Sequence, residues 1–306
     1  MVKKYSVLWL KRGYSIGYEM IGHDSKAPVI VLLNGSLFHS GQWDLLLKCG
    51  LKPHLKKYRI LRYDYGGTGN SLKVPVRWDL HDLTAELKEI LDELDLQKVH
   101  LFGLSKGTIV EQLFAAYYPE RVHSLGGYGW FHFGYSKMNS IADFFASRLK
   151  HFARLGSREP VPLTQEDFNP LWKQIHPYIF ESFKGPKIYQ VMTEPLLRKL
   201  MFKSLAPTPL RVMYDWFSYA VRMMPTAEKE LRDRYSVFEN IPMLIQHARK
   251  DGTLPYGMAE ELHKKLPHSE LRRYDRGYNH VTPTIFPWQA FSIGKDYATW
   301  LTQAGF

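Results

Sequence analysis

The chain has 306 residues, 45% hydrophobic and 23% charged, which is ordinary globular usage and leaves no compositional case for a disordered or fibrous protein. Its single cysteine, Cys49, excludes a disulfide framework and a thiolate-rich metal cluster. The formal net charge of +11 is carried by scattered residues and pairs such as Lys56-Lys57 and Arg272-Arg273, with no aromatic-and-basic motif beside them, so a lysine-rich solvated surface is expected and a nucleic-acid partner is not.

The first apolar run is cut by Lys11 and Arg12 after too few residues for a signal-peptide core or a membrane span. A cytoplasmic chain without stable membrane insertion is the expectation. "YSVLWL" and "YSIGYEMIG" read as a strand hairpin turning at 11–13. "APVIVLLNG" and "YRILRYD" are apolar runs of the kind buried on both faces of a parallel sheet. In 79–94, Leu80, Leu83, Leu87, Ile90, Leu91 and Leu94 fall at the helical period behind a capping Asp79. "KVHLFG" then reads as a strand, 105–118 as a helix stopped by Pro119, and "VHSLGGYGW" as a further strand.

The alternation predicts a mostly parallel α/β sheet flanked by helices. It breaks near Phe131 and returns at "IPMLIQHARKD", followed by a helix at 257–266, the strand "SELRRYD" and a last helix at 287–302. The intervening stretch is rich in Trp, Tyr, Phe, Met and Pro. The expected organisation is therefore a core of 1–130 and 240–306 carrying a helical cap at 131–239. Trp130 and Phe131, at the end of the preceding strand, are the candidate floor of an apolar pocket beneath the cap, although helix packing alone also accounts for the cap's aromatic content.

The run Gly103-Leu104-Ser105-Lys106-Gly107 lies between a buried strand and a helix. A serine at such a corner needs glycines two residues to either side, where a side chain would collide with the neighbouring backbone, and the following helix N-terminus favours developing negative charge. Here the chain resembles the α/β-hydrolase fold family over nearly its whole length. "LLNGSLFHSGQWD" resembles the family's oxyanion loop, with Asn34 in place of the commoner histidine, as in some acyl-transferring members. "RYDYGGTGNS" resembles its structural Asp-x-Arg-Gly-x-Gly turn.

The resemblance implies Ser105 as nucleophile, with the backbone N–H groups of Ser36 and Lys106 as oxyanion donors. It also implies a base after the last strand, where His280 stands in "YDRGYNHVTP", and an acid in "HARKDGTLP", where Asp251 stands. His263 and His268 fall outside the base position, and Asp275 is the local rival for the acid. The Lys106 side chain either meets an anionic group or reaches solvent. The function so implied is hydrolysis of a carboxylic ester with an apolar acyl or aromatic part, on a small-molecule substrate and without metal or cofactor. An acyltransferase or thioesterase acting on an anionic acyl carrier, a carbon–carbon bond hydrolase and a non-enzymatic receptor are the alternatives.

Overall fold

A hairpin opens the fold: β1 (Ser6–Trp9) and β2 (Ser15–Ile21) pair antiparallel, and the turn between them uses Gly13 at φ +89°, a conformation open to glycine. The computed structural model describes residues 5–36, 38–53, 56–71, 80–137, 229–275, 277–280 and 282–306, with short stretches between 164 and 227. The remaining strands are β3 (Val29–Leu33), β4 (Arg59–Tyr63), β5 (Val99–Leu104), β6 (Val122–Tyr128), β7 (Met243–Ala248) and β8 (Glu270–Tyr274). They form one eight-stranded sheet in the order β1-β2-β4-β3-β5-β6-β7-β8. β2 meets β4 antiparallel, and every pairing from β4 to β8 is parallel.

All residues of β3, β5 and β7 are buried, as their unbroken apolar character requires when both faces are covered. Helices α1 (Leu80–Glu93), α2 (Lys106–Tyr117) and α3 (Tyr256–Lys265) share one hydrophobic cluster with Val31, Leu101 and Ile245. Helix α4 (Pro287–Gln303) covers the opposite face with Ile30, Phe102 and Leu244. A π-helical segment, Leu46–Leu51, lies beside α4 there, an element that the alternation of strands and helices does not announce. The two helices meet at glycines: a Cβ on Gly50 would stand 2.2 Å from the Ala290 carbonyl oxygen, and one on Gly294 would stand 2.4 Å from Gly50.

The strand and helix expectations match these elements to within a few residues, while the cap at Asp79 lies outside the described residues. So does most of the expected cap domain, including Tyr178, Phe180 and Met192. Of its described residues, Phe168, Trp172, Ala227, Leu231 and Phe238 pack into the same cluster as α2. Among the described residues no helix is long and apolar enough to cross a membrane.

Candidate active site

Parallel strands bring the ends of β5, β6, β7 and β8 to one edge of the sheet, and the chemistry-bearing residues sit on the connections that leave it. Ser105 follows β5 directly with φ 53° and ψ −112°. A non-glycine residue in so sparsely populated a region costs about 1–3 kcal/mol and is held there only by its surroundings. The Ser105 N–H donates to Tyr128 O at 3.0 Å, and its carbonyl accepts from the Thr108 N–H at 2.8 Å and the Thr108 hydroxyl at 2.7 Å. The flanking glycines are steric requirements: a Cβ on Gly103 would lie 2.5 Å from Gly107 C, and one on Gly107 would lie 2.1 Å from Leu33 O.

Asp251 lies on the connection after β7, its side chain wholly buried. Its Oδ1 accepts the backbone N–H groups of Thr253 and Leu254, each at 2.8 Å. Its Oδ2 lies 2.7 Å from His280 Nδ1, from the connection after β8. Burial pushes the Asp251 pKa up, but His280, His247 and the Leu254 N–H together outweigh it and hold the carboxyl below its usual range. The His280 loop is tied down by the Tyr128 hydroxyl, which donates to Asn279 O at 2.8 Å. Gly129, at φ +69°, leaves the space the imidazole occupies: a Cβ there would stand 3.1 Å from His280 Nδ1 and Cε1.

The rival residues are placed elsewhere. Asp275 is exposed and paired with Arg249 at 3.8 Å and Arg273 at 3.2 Å. His263 bonds to the Ser269 hydroxyl at 2.9 Å, and His268 is exposed. Trp130 and Phe131 are both fully buried. The Trp130 indole N–H donates to Gly127 O at 2.8 Å, and the Phe131 N–H donates to the Thr108 hydroxyl at 3.1 Å.

Around the expected oxyanion loop, Ser36 is half-buried just after β3, and Gly35 packs against Leu104. Lys106 is the first residue of α2, where backbone N–H groups point out of the helix end. Its side chain does not reach solvent. It is buried, with Nζ 4.1 Å from the centre of the Tyr65 ring, and burial brings its pKa down to about 7 against the pull of Glu86. Glu86 is itself pushed up to about 7 by burial, opposed by hydrogen bonds from Tyr14 and the Gly66 N–H and by the charges of Arg12 and Lys106. Asn34 is committed to the scaffold: its amide donates to Tyr63 O at 2.8 Å, and its carbonyl accepts from the Trp43 indole at 2.7 Å. Among the described residues no group of three or more His, Cys, Asp and Glu side chains is arranged to hold a metal ion.

One residue of the site is not among those the sequence singles out. His247, fully buried at the end of β7, places Nε2 3.5 Å from Asp251 Oδ2. In a buried strand it reads as core, and its spacing four residues before Asp251 is the one signal available.

The family model for the alpha/beta hydrolase fold matches residues 28–129, from β3 through the residue after β6. Over 102 residues the chain is 36% identical to a putative carbamate hydrolase, RutD, of Pseudomonas syringae, covering 32% of this chain and 37% of that protein. Over 113 residues it is 35% identical to a pimeloyl-[acyl-carrier protein] methyl ester esterase of Aeromonas hydrophila, covering 36% of this chain and 40% of the esterase. The chain thus spans well under half the length of these curated relatives. The crystal structure of a hydrolase from Pseudomonas aeruginosa superposes with a TM-score of 0.74 at 21% identity, covering 98% of this chain and 99% of that one. Its sheet order, its strained serine between two glycines, the matched segment from β3 to β6 and this superposition together show that the chain has the α/β-hydrolase fold.

Proposed function

We propose that the protein is a serine hydrolase that cleaves a carboxylic ester with an apolar acyl or aromatic part. The observation that carries this reading is the 2.7 Å contact between His280 Nδ1 and the buried Asp251 carboxylate, on loops at the sheet edge where Ser105 stands in strained geometry. A carboxylate only accepts, so Nδ1 carries the proton and Nε2 is left with the lone pair a general base needs. Ser105 attacks the ester carbonyl while His280 takes its proton. The N–H groups of Ser36 and Lys106 hold the oxyanion, and His280 returns the proton to the departing alcohol. Water then repeats the cycle on the acyl-enzyme. Asp251 orients His280 and stabilises its imidazolium, and Trp130 and Phe131 form the apolar floor.

Two observations favour this over the alternatives. Asn34, the feature that pointed toward acyl transfer, spends its side chain on Tyr63 and Trp43. A binding-only protein gains nothing from the strain at Ser105 or from burying a carboxylate against a histidine. Resemblance to a methyl ester esterase supports the ester as substrate class.

A fluorophosphonate probe tests the nucleophile, and p-nitrophenyl esters of rising chain length test substrate class and pocket depth. Labelling is expected on Ser105 and lost in Ser105→Ala, with turnover rising beyond acetate. Labelling that persists in Ser105→Ala overturns the assignment.

A further inference from the structure

The Asp251–His280 pair is not alone: His247, contributed by the neighbouring strand end, touches the same carboxylate oxygen. Its ring is hydrogen-bonded at both nitrogens. The Trp130 backbone N–H points at Nδ1 from 3.1 Å, and Leu254 O lies 2.9 Å from Nε2. An amide N–H can only donate and a carbonyl can only accept. Nδ1 therefore carries the lone pair and Nε2 the proton, which it donates to Leu254 O, and Asp251 Oδ2 lies 3.5 Å from the same nitrogen.

We propose that His247 is a positioning residue for the triad: a neutral imidazole, locked in its Nε2–H tautomer by Trp130 and Leu254, that holds Asp251 Oδ2 in line with His280. This rests on the triad reading above.

The division of labour follows from counting lone pairs. Asp251 Oδ1 is occupied by the two amides of its own turn, which fix that oxygen but leave the carboxylate free to rock about it. Oδ2 lies 2.7 Å from His280 Nδ1 and 3.5 Å from His247 Nε2, so the second imidazole packs against the oxygen that the turn amides leave free and limits that rocking. His247 also ties three connections together: the end of β6 through Trp130, the turn after β7 through Leu254, and the acid itself. The titratable groups facing it are Asp251 and His280, with the Tyr256 ring of α3 at 6.1 Å. Burial lowers its pKa, and the nearby Asp251 and the Leu254 carbonyl oppose that shift. Protonation would turn a second N–H against the Trp130 N–H, so the geometry itself resists the charged form. A neutral donor serves better than a cation here, because a fixed positive charge would oppose formation of the His280 imidazolium.

The whole protein labelled with 15N-histidine gives the first test. Between about pH 5 and about pH 9, a range in which free imidazole titrates, the His247 signals are expected to stay those of a neutral ring protonated at Nε2. A ring that titrates, or one protonated at Nδ1, overturns the proposal. Kinetics on one activated ester give the second. His247→Asn can accept the Trp130 N–H but cannot reach Leu254 O or Asp251, and it is expected to lower kcat by about 10²-fold with KM unchanged, the scale of a small misplacement at a reacting centre. His247→Gln restores a donor at the Nε2 position and is expected to recover most of kcat. Equal loss in both variants, or normal kcat in His247→Asn, leaves His247 a packing residue only and overturns the proposal. If His247→Asn does not fold, the tautomer measurement decides alone. Ser105→Ala separates the two levels: an active Ser105→Ala defeats the triad reading, whereas an inactive one beside a fully active His247→Asn defeats only the role of His247.

Discussion

Asp251 keeps both carboxylate oxygens inside the protein, whereas Asp275 spends its charge on two exposed arginines. From this contrast, Asp251→Asn is expected to keep the fold and lower kcat by about 10⁴-fold, the scale of losing the acid that orients the histidine of a serine triad. Asp275→Asn is expected to leave kcat within experimental error. Steady-state kinetics on one activated ester, with circular dichroism on both variants, checks this, and a large loss confined to Asp275→Asn transfers the role to that residue. At this scale the sequence is informative where chemistry follows chain order. Ser105 stands between glycines, and His280 and Asp251 stand after the last strands. What it hides depends on contacts between distant segments. Nothing near Lys106 announces that its ammonium lies over Tyr65, and nothing near His247 announces the Trp130 amide that fixes its tautomer.

The elements are legible because the apolar runs are pure: β3, β5 and β7 are buried throughout, and α1 shows an unambiguous helical stripe. The π-helical segment Leu46–Leu51 is not, since "LLKCGL" is too short to show a period. Its role lies in a close crossing with α4. Gly50→Ala places a methyl group 2.2 Å from the Ala290 carbonyl oxygen, which forces the helices apart and is expected to cost about 1–3 kcal/mol of stability, read from urea denaturation, with kcat little changed. Gly129→Ala makes the opposite separation. Its Cβ meets the His280 ring at 3.1 Å and its φ is +69°, so kcat is expected to fall in a variant that still folds. Unaltered turnover in Gly129→Ala counts against the close packing of β6 on the histidine loop.

Over the whole molecule, buried titratable groups pull stability in opposite directions with pH. Burial lowers the His100 pKa to about 3, helped by the charges of His123 and Lys98. Between that value and an unfolded value of about 6.5 the unfolded chain binds the extra proton, so His100 makes stability fall as the solution is acidified. Glu86, raised to about 7 by burial, holds its proton in the folded state, so its contribution is present at low pH and is lost as pH rises toward 7. Relative to the parent, His100→Gln is expected to flatten the acid-side loss and Glu86→Gln to flatten the loss toward neutrality, each by at most about 1.4 kcal/mol per pH unit. Urea midpoints at several pH values measure both, and changes of the same sign in the two variants refute the assignment. The excursion between β6 and β7 has a consequence of another kind. Its outgoing end is fastened by Phe131 O to Gln112 and by Ser136 to Glu261. Its returning end is fastened by Glu230 to Tyr117 and by Arg234 to Ala116 O. Both moorings belong to helices of the sheet, and the strands they flank, β6 and β7, pair directly with each other. The entry and the exit of this stretch are therefore fixed on one body with the connections that carry Ser105, Asp251 and His280, so loosening either mooring, as in Glu261→Gln or Glu230→Gln, is expected to be felt at that edge as well as in stability.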